Sequence, residues 1–186
     1  KSEFVLNWYA PEDDQAYPFA TKMELTQQLP NLRKQILKYE DYASQTYESL
    51  FSPATREASI AYKAEYLESA ILWNEGTQFS LQALPIEAQV APVFAIAVTD
   101  WNSDGHADIW LGGNFYGLKP QVGRHDASQG VFLIGTGKRR FRVVSAAMSG
   151  IQVEGEVRDA VILPLNQKPA MLVARNNDEV LMYRRK

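Results

Sequence analysis

Apolar and polar residues follow two different periods along this chain, and the change falls near Tyr66. A short β-prone run, Glu3-Phe4-Val5-Leu6-Asn7-Trp8-Tyr9, comes first and is stopped by Pro11 and Glu12-Asp13-Asp14, with a second break at Pro18. Thr21, with Glu24 three residues on, forms a capping box and predicts a short helix ending before Pro30. Asn31 then caps a longer predicted helix, in which Leu32, Ile36, Tyr39, Ala43, Tyr47 and Leu50 recur at three- and four-residue steps and share one face. Ser52-Pro53 opens a third helical stretch through about Lys63, with proline at the first-turn position it tolerates. The tyrosines on the longer helix suit a packing face more than a ligand platform.

Beyond Tyr66 the pattern is β to the end. Strands are predicted at 67–73 and 78–84, joined at Asn74-Glu75-Gly76 and closed by Pro85. Strands at 93–98 and 109–111 flank a loop rich in Asp and Asn. Residues 113–130 have no clear period. Strands at 130–134 and 141–144 turn at Gly135-Thr136-Gly137, and three more fall at 157–163, 170–174 and 180–183. A strand, a Gly-containing turn and a Phe-led strand occur twice, as Leu72-Trp73-Asn74-Glu75-Gly76…Phe79 and as Leu133-Ile134-Gly135-Thr136-Gly137…Phe141. This is a weak internal repeat.

Composition adds limits. A length of 186 residues suits one domain with a sizeable core, and 46% hydrophobic with 22% charged residues is ordinary for a globular protein. A net charge of −3 gives no basic footprint, so nucleic acid is not the expected partner. Lys138-Arg139-Arg140 and Arg184-Arg185-Lys186 read as a hairpin tip and a solvated tail. The absence of cysteine excludes disulfides, thiol chemistry and Cys-based zinc sites. No apolar run reaches the ~18 residues of a membrane span. The chain opens at Lys1 with neither Met nor a signal-like segment, and reads as a piece of something longer.

The candidate chemistry lies in D-W-N-S-D-G-H-A-D, residues 100–108. Asp100, Asn102, Asp104 and Asp108 put side-chain oxygens at the first, third, fifth and ninth places. Gly105 stands sixth, where a tight loop needs positive φ. Alternate positions of such a loop converge on one point, and a hard cation such as Ca2+ takes six to eight oxygens there, His106 contributing its carbonyl. Three carboxylates with no basic residue among them repel one another unless something intervenes. An EF-hand would need Glu at the twelfth place and flanking helices. Here that place is Leu111 and the flanks are strands, so Asp108 closes the set. The competing reading is an Asx-rich hairpin turn that satisfies only its own backbone.

Together these residues resemble the FG-GAP/VCBS repeats of integrin-like β-propellers, in which an apolar strand, D-x-D/N-x-D/N-G-x-x-D, a second strand and a third strand leading into N-x-G-x-F follow one another. The segment from Phe94 to Val144 keeps that order, with Gly135 where Asn is usual. More narrowly, Leu84-Pro85-Ile86-Glu87-Ala88-Gln89, Gly113-Asn114-Phe115-Tyr116-Gly117-Leu118-Lys119-Pro120, Gly123-Arg124-His125-Asp126-Ala127-Ser128 and Val173-Ala174-Arg175-Asn176-Asn177-Asp178 look like the C-terminal portion of large VCBS-repeat proteins of Bacteroidetes-like bacteria. The resemblance implies a mainly β chain with a helical insertion at 21–63 and propeller blades at 64–186, one of them carrying a calcium loop at 100–108. At about 40–45 residues per blade, the β portion holds only about 2–3 blades. A ring of about 4–8 would need the remaining blades of a parent chain.

The function expected on these grounds is a non-enzymatic binding or interaction module, extracellular, cell-surface or periplasmic, braced by structural Ca2+, with a protein or glycan ligand. The ligand surface is expected on loop 113–130, with Phe115, Tyr116, Lys119, Arg124, His125 and Asp126. Alternatively, the loop's aromatics and Arg124 pin it to the sheet. Two other readings stand beside this one. One is a purely structural propeller segment. The other is a hydrolase acting on glycans or phosphate esters through Arg124, His125, Asp126 and Glu154 or Glu156, although no nucleophile, base and orienter can be picked out. Glu154 and Glu156, before Arg158 and Asp159, also suit a surface ion-pair cluster.

Overall fold

Pro11-Glu12-Asp13-Asp14, expected as a strand stop, is a hairpin turn in the computed structural model, which describes residues 3–185. It joins β1 (Asn7–Ala10) to β2 (Gln15–Pro18), with Asp14 in the left-handed region at φ 58. Asp13 accepts the Gln15 N–H and the Tyr17 hydroxyl, Asp14 accepts the Tyr9 hydroxyl, and Trp8 stacks on Tyr17 across the pair. The turn's acids therefore hold the hairpin rather than end it. Over the described residues the chain is mainly β, with four small antiparallel sheets and a few short helices, and it divides into two compact units, Lys1–Glu65 and Tyr66–Lys186.

The first unit corrects the helical reading of 21–63. The Thr21 capping box is present and opens α1 (Lys22–Gln28). The expected long helix after Asn31 is instead a 3-10 turn (Pro30–Lys34) followed by two separate single turns, α2 (Tyr39–Ala43) and α3 (Tyr47–Leu50). Short polar side chains inside the segment compete with helix propagation. Asp41 turns back to the Lys38 N–H at 3.1 Å, and Thr46 takes the Ser49 N–H at 3.2 Å, so each starts a new helix where the period would continue the old one. The third stretch stops early: α4 (Pro53–Glu57), capped by Ser52, leaves residues 58–69 without helix. Leu32, Ile36 and Leu50 of the expected face do join Leu25 in a small core, whereas Tyr39 and Ala43 are exposed.

In the second unit, alternation and turn chemistry place the strands as expected to within a few residues. β3 (Ala70–Asn74) pairs with β4 (Phe79–Ala83). β5 (Val93–Thr99), β6 (Asp108–Gly113), β7 (Val131–Gly135) and β8 (Phe141–Val144) form a four-stranded antiparallel meander in sequence order. After one helical turn, α5 (Ala146–Ser149), a three-stranded meander follows: β9 (Val157–Leu165), β10 (Lys168–Arg175) and β11 (Leu181–Arg184).

The central strands β6 and β7 are covered on both faces, which is why β7, Val-Phe-Leu-Ile-Gly, reads as an unbroken apolar run with all five residues buried, whereas β5 keeps one face exposed. Ala95, Ala97, Trp110, Phe132 and Ile134 face the β9–β11 sheet, meeting Val157, Ala160, Met171 and Val173. Leu111, Val131 and Leu133 face the other way, against Leu84 and Ala88. Full burial of each of the larger aliphatic and Phe side chains here stabilises by about 1.5–3 kcal/mol, so this layer is the stable centre of the unit. The two turns of the sequence repeat meet in space: Trp73 stacks on Phe141, and Arg139 pairs with Glu75 while lying over the Trp73 ring.

Candidate functional site

Loop 100–108 connects β5 to β6 and turns through Ser103 at φ 61 and Gly105 at φ 84. Its oxygens are fixed by main-chain N–H groups. Asp100 accepts from Asp104 (3.0 Å) and Gly105 (2.9 Å), Asn102 Oδ1 accepts from Asp104 (2.9 Å), and Asp104 Oδ1 accepts from His106 (2.9 Å). Asn102 Nδ2 donates to the second Asp104 oxygen at 2.8 Å. The His106 N–H, with help from the Asn102 amide, holds the Asp104 carboxyl below its usual range, so it is ionised at neutral pH. Asp108 is 1% exposed and spans two elements, accepting the Trp101 N–H at 2.9 Å and the Gly135 N–H at 2.8 Å.

Gly135 is required here, because a Cβ at that position would lie 2.3 Å from the Ala107 carbonyl oxygen. The loop and the β7–β8 turn therefore pack backbone to backbone. The His106 ring lies beside Gly137 on the same turn.

Among the described residues, no three His, Cys, Asp or Glu side chains are grouped to hold a metal ion. The donor set nevertheless suits a hard cation in kind: three carboxylates, the Asn102 amide oxygen and the His106 carbonyl, with lone pairs left beyond the bonds to main-chain N–H groups. Among the described residues, Arg185 is the cationic side chain bonded into the loop, and it donates to the Ser103 hydroxyl at 2.5 Å, not to a carboxylate.

The ligand residues expected on loop 113–130 do not gather at one point. Phe115 packs on Phe94, with the Arg158 guanidinium over both rings, so it anchors the loop. Its main chain bridges to His125 in both directions, at 2.8 and 2.9 Å. Tyr116 and Asp126 line a cleft of about 210 Å3, together with Ser128, Gln129 and Glu154. His125 lines a different cleft of about 300 Å3, beside Leu67, Gln89 and Pro92. Arg124 lies over the Tyr116 ring at 4.8 Å, and Lys119 is exposed.

What fixes the loop was not legible in the sequence. Asn114 is 2% exposed at φ 77, and its carboxamide donates to Ser128 O (2.7 Å) and Gly155 O (3.0 Å) while accepting the Ser128 N–H (3.0 Å). Glu156 does form the expected ion pair with Arg158, but from a buried position. It is 7% exposed and accepts from the Tyr116 N–H (2.7 Å), Asn176 Nδ2 (2.7 Å) and Arg158 (2.8 Å). The Tyr116 N–H and Asn176 amide, then Arg158, hold its carboxyl below the ordinary range. A carboxylate so engaged is unsuited to proton transfer. The Gly112-Gly113-Asn114 run at a strand end was the available sequence signal for the clamp. For Glu156 the nearby Arg158 was the only local signal, because Tyr116 and Asn176 lie far along the chain.

No family model matches this chain, and neither a curated protein nor a solved structure matches it.

Proposed function

We propose that this chain is a segment of a β-propeller of the FG-GAP/VCBS type, working outside the cytoplasm as a non-enzymatic binding module with Ca2+ in loop 100–108 as a structural brace. One observation carries the reading: the Asp/Asn loop joins the first two strands of a four-stranded meander, and its buried Asp108 ties that loop to the turn between the last two. A cation held by Asp100, Asn102, Asp104, the His106 carbonyl and Asp108 would offset three clustered carboxylates and so brace all four strands at one end.

Propeller architecture is supported by successive meanders packed face to face and by the apolar faces left at both ends of the stack. Phe94, Ile96 and Val98 are exposed on β5, and Val161, Leu163 and Met182 on the β9–β11 sheet. Further blades of a parent chain would cover them. An acid–base reading has less support. His125 and Asp126 line different clefts, and Glu156 is bound up in holding the loop. No helix among the described residues is long and apolar enough to cross a membrane. The unfolding midpoint with calcium and with a chelator tests the brace, and equal midpoints would refute it.

A further inference from the structure

We infer that the cleft beneath loop 113–130 binds a neutral, hydroxyl-rich ligand, a single sugar residue of a glycan, through Asp126, Ser128, Gln129 and Glu154 beside Tyr116. This rests on the reading of the chain as a binding module and names the class of its ligand. The cleft of about 210 Å3 is below the roughly 300 Å3 where drug-sized pockets begin, and suits one ring-sized group.

Its lining offers acceptors and donors side by side: two carboxylates with no ion-pair partner among the described residues, an amide that is both, and the Ser128 hydroxyl. The Ser128 oxygen already accepts the Gly130 N–H at 3.1 Å, leaving its proton to donate. A sugar hydroxyl likewise donates and accepts, and its donation to a carboxylate is a charge-assisted bond. An anionic ligand would face Asp126 and Glu154. An ammonium group only donates, which leaves the Ser128 and Gln129 donors unmatched, and the aromatic face it would seek on Tyr116 is taken by Arg124.

The lining is also held in place before any ligand arrives. Asn114 bonds both main-chain groups of Ser128. The Gln129 carbonyl takes the Val153 N–H at 2.9 Å, Arg175 holds the Glu154 carbonyl at 3.1 Å, and Glu156 holds the Tyr116 N–H. Side chains mounted on a fixed main chain lose less freedom on binding.

The test is an array of neutral, sialylated and amino-sugar oligosaccharides, probed with the intact chain in calcium and followed by titration of the best neutral binder. The expected result is selective capture of neutral oligosaccharides, weakened about tenfold or more by Asp126→Asn and by Glu154→Gln with unfolding midpoints unchanged. Binding of no neutral oligosaccharide, preference for the charged sets, or affinity untouched by both substitutions would overturn the inference. The module reading would survive that failure if calcium still raised the unfolding midpoint. Conversely, neutral-glycan binding lost in both variants, in a chain indifferent to calcium, would keep the cleft and remove the brace.

Discussion

Asn114→Ala should be among the most damaging single substitutions in the second unit, although it touches neither a carboxylate nor the apolar layer. Three hydrogen bonds of 2.7–3.0 Å vanish at a site 2% exposed. At about 1 kcal/mol each for bonds of this kind, the loss is about 3 kcal/mol, and the stranded Ser128 and Gly155 groups keep it from being smaller. Alanine must also hold φ near 77, a left-handed conformation that costs about 1–2 kcal/mol and that asparagine tolerates. The total is about 4 kcal/mol, a large share of the roughly 5–15 kcal/mol of a typical domain.

Asn114→Gly separates the two parts, since it loses the same bonds without the φ penalty and should be about 1 kcal/mol less harmful. Urea unfolding followed by circular dichroism gives both values. Hydrogen exchange at the Val153 amide, which bonds to Gln129 O, reports whether the loop has come loose. A cost below about 1 kcal/mol for Asn114→Ala, or equal costs for the Ala and Gly variants, would refute the clamp.

Two further outcomes follow from the same contacts. Gly135→Ala places a Cβ 2.3 Å from a main-chain oxygen, so the loop or β7 must shift. The expected cost is about 3 kcal/mol in urea unfolding, and calcium-dependent stabilisation should fall with it, because the Asp108–Gly135 bond is displaced. Glu75 is held down to about 2, from an ordinary 4.5, first by Arg139 and then by the Ser80 hydroxyl. Its folded value is depressed, so the contact stabilises above the unfolded value and is lost as pH falls toward about 2. Glu75→Gln should flatten that part of the acid-unfolding profile by lowering the neutral midpoint, the two proteins converging as pH falls toward about 2. An unaltered acid profile would contradict the pairing.

The strands were legible because each carries its own signal. β5 and β7 are short apolar runs, and Asn74-Glu75-Gly76 and Gly135-Thr136-Gly137 turn the chain where they stand. Apolar spacing alone predicts a long helix after Asn31, but the Asp41 and Thr46 side chains interrupt it by bonding to nearby N–H groups. β2 is hidden in the sequence by Pro18, which reads as a break although at a hairpin edge proline is tolerated.

In loop 100–108 the oxygen pattern and Gly105 were plain from spacing, whereas the bond from Asp108 to Gly135, 27 residues on, was not. The cleft was legible only as a loop without period. Its fixed geometry depends on Glu156 meeting Tyr116 across 40 residues and Asn114 meeting Gly155 across 41, and no local pattern encodes such pairs.

The central claim, a calcium brace between β5 and β6, is tested most directly by unfolding the intact chain across a calcium titration, with Asp104→Ala alongside. Calcium at about 100 times its Kd should stabilise the parent chain by about 2.7 kcal/mol and raise its midpoint, reversibly on chelation. Asp104→Ala should give no response to calcium at the same concentrations. Midpoints that are the same with chelator and with millimolar calcium, or a calcium response undiminished by Asp104→Ala, would contradict the account.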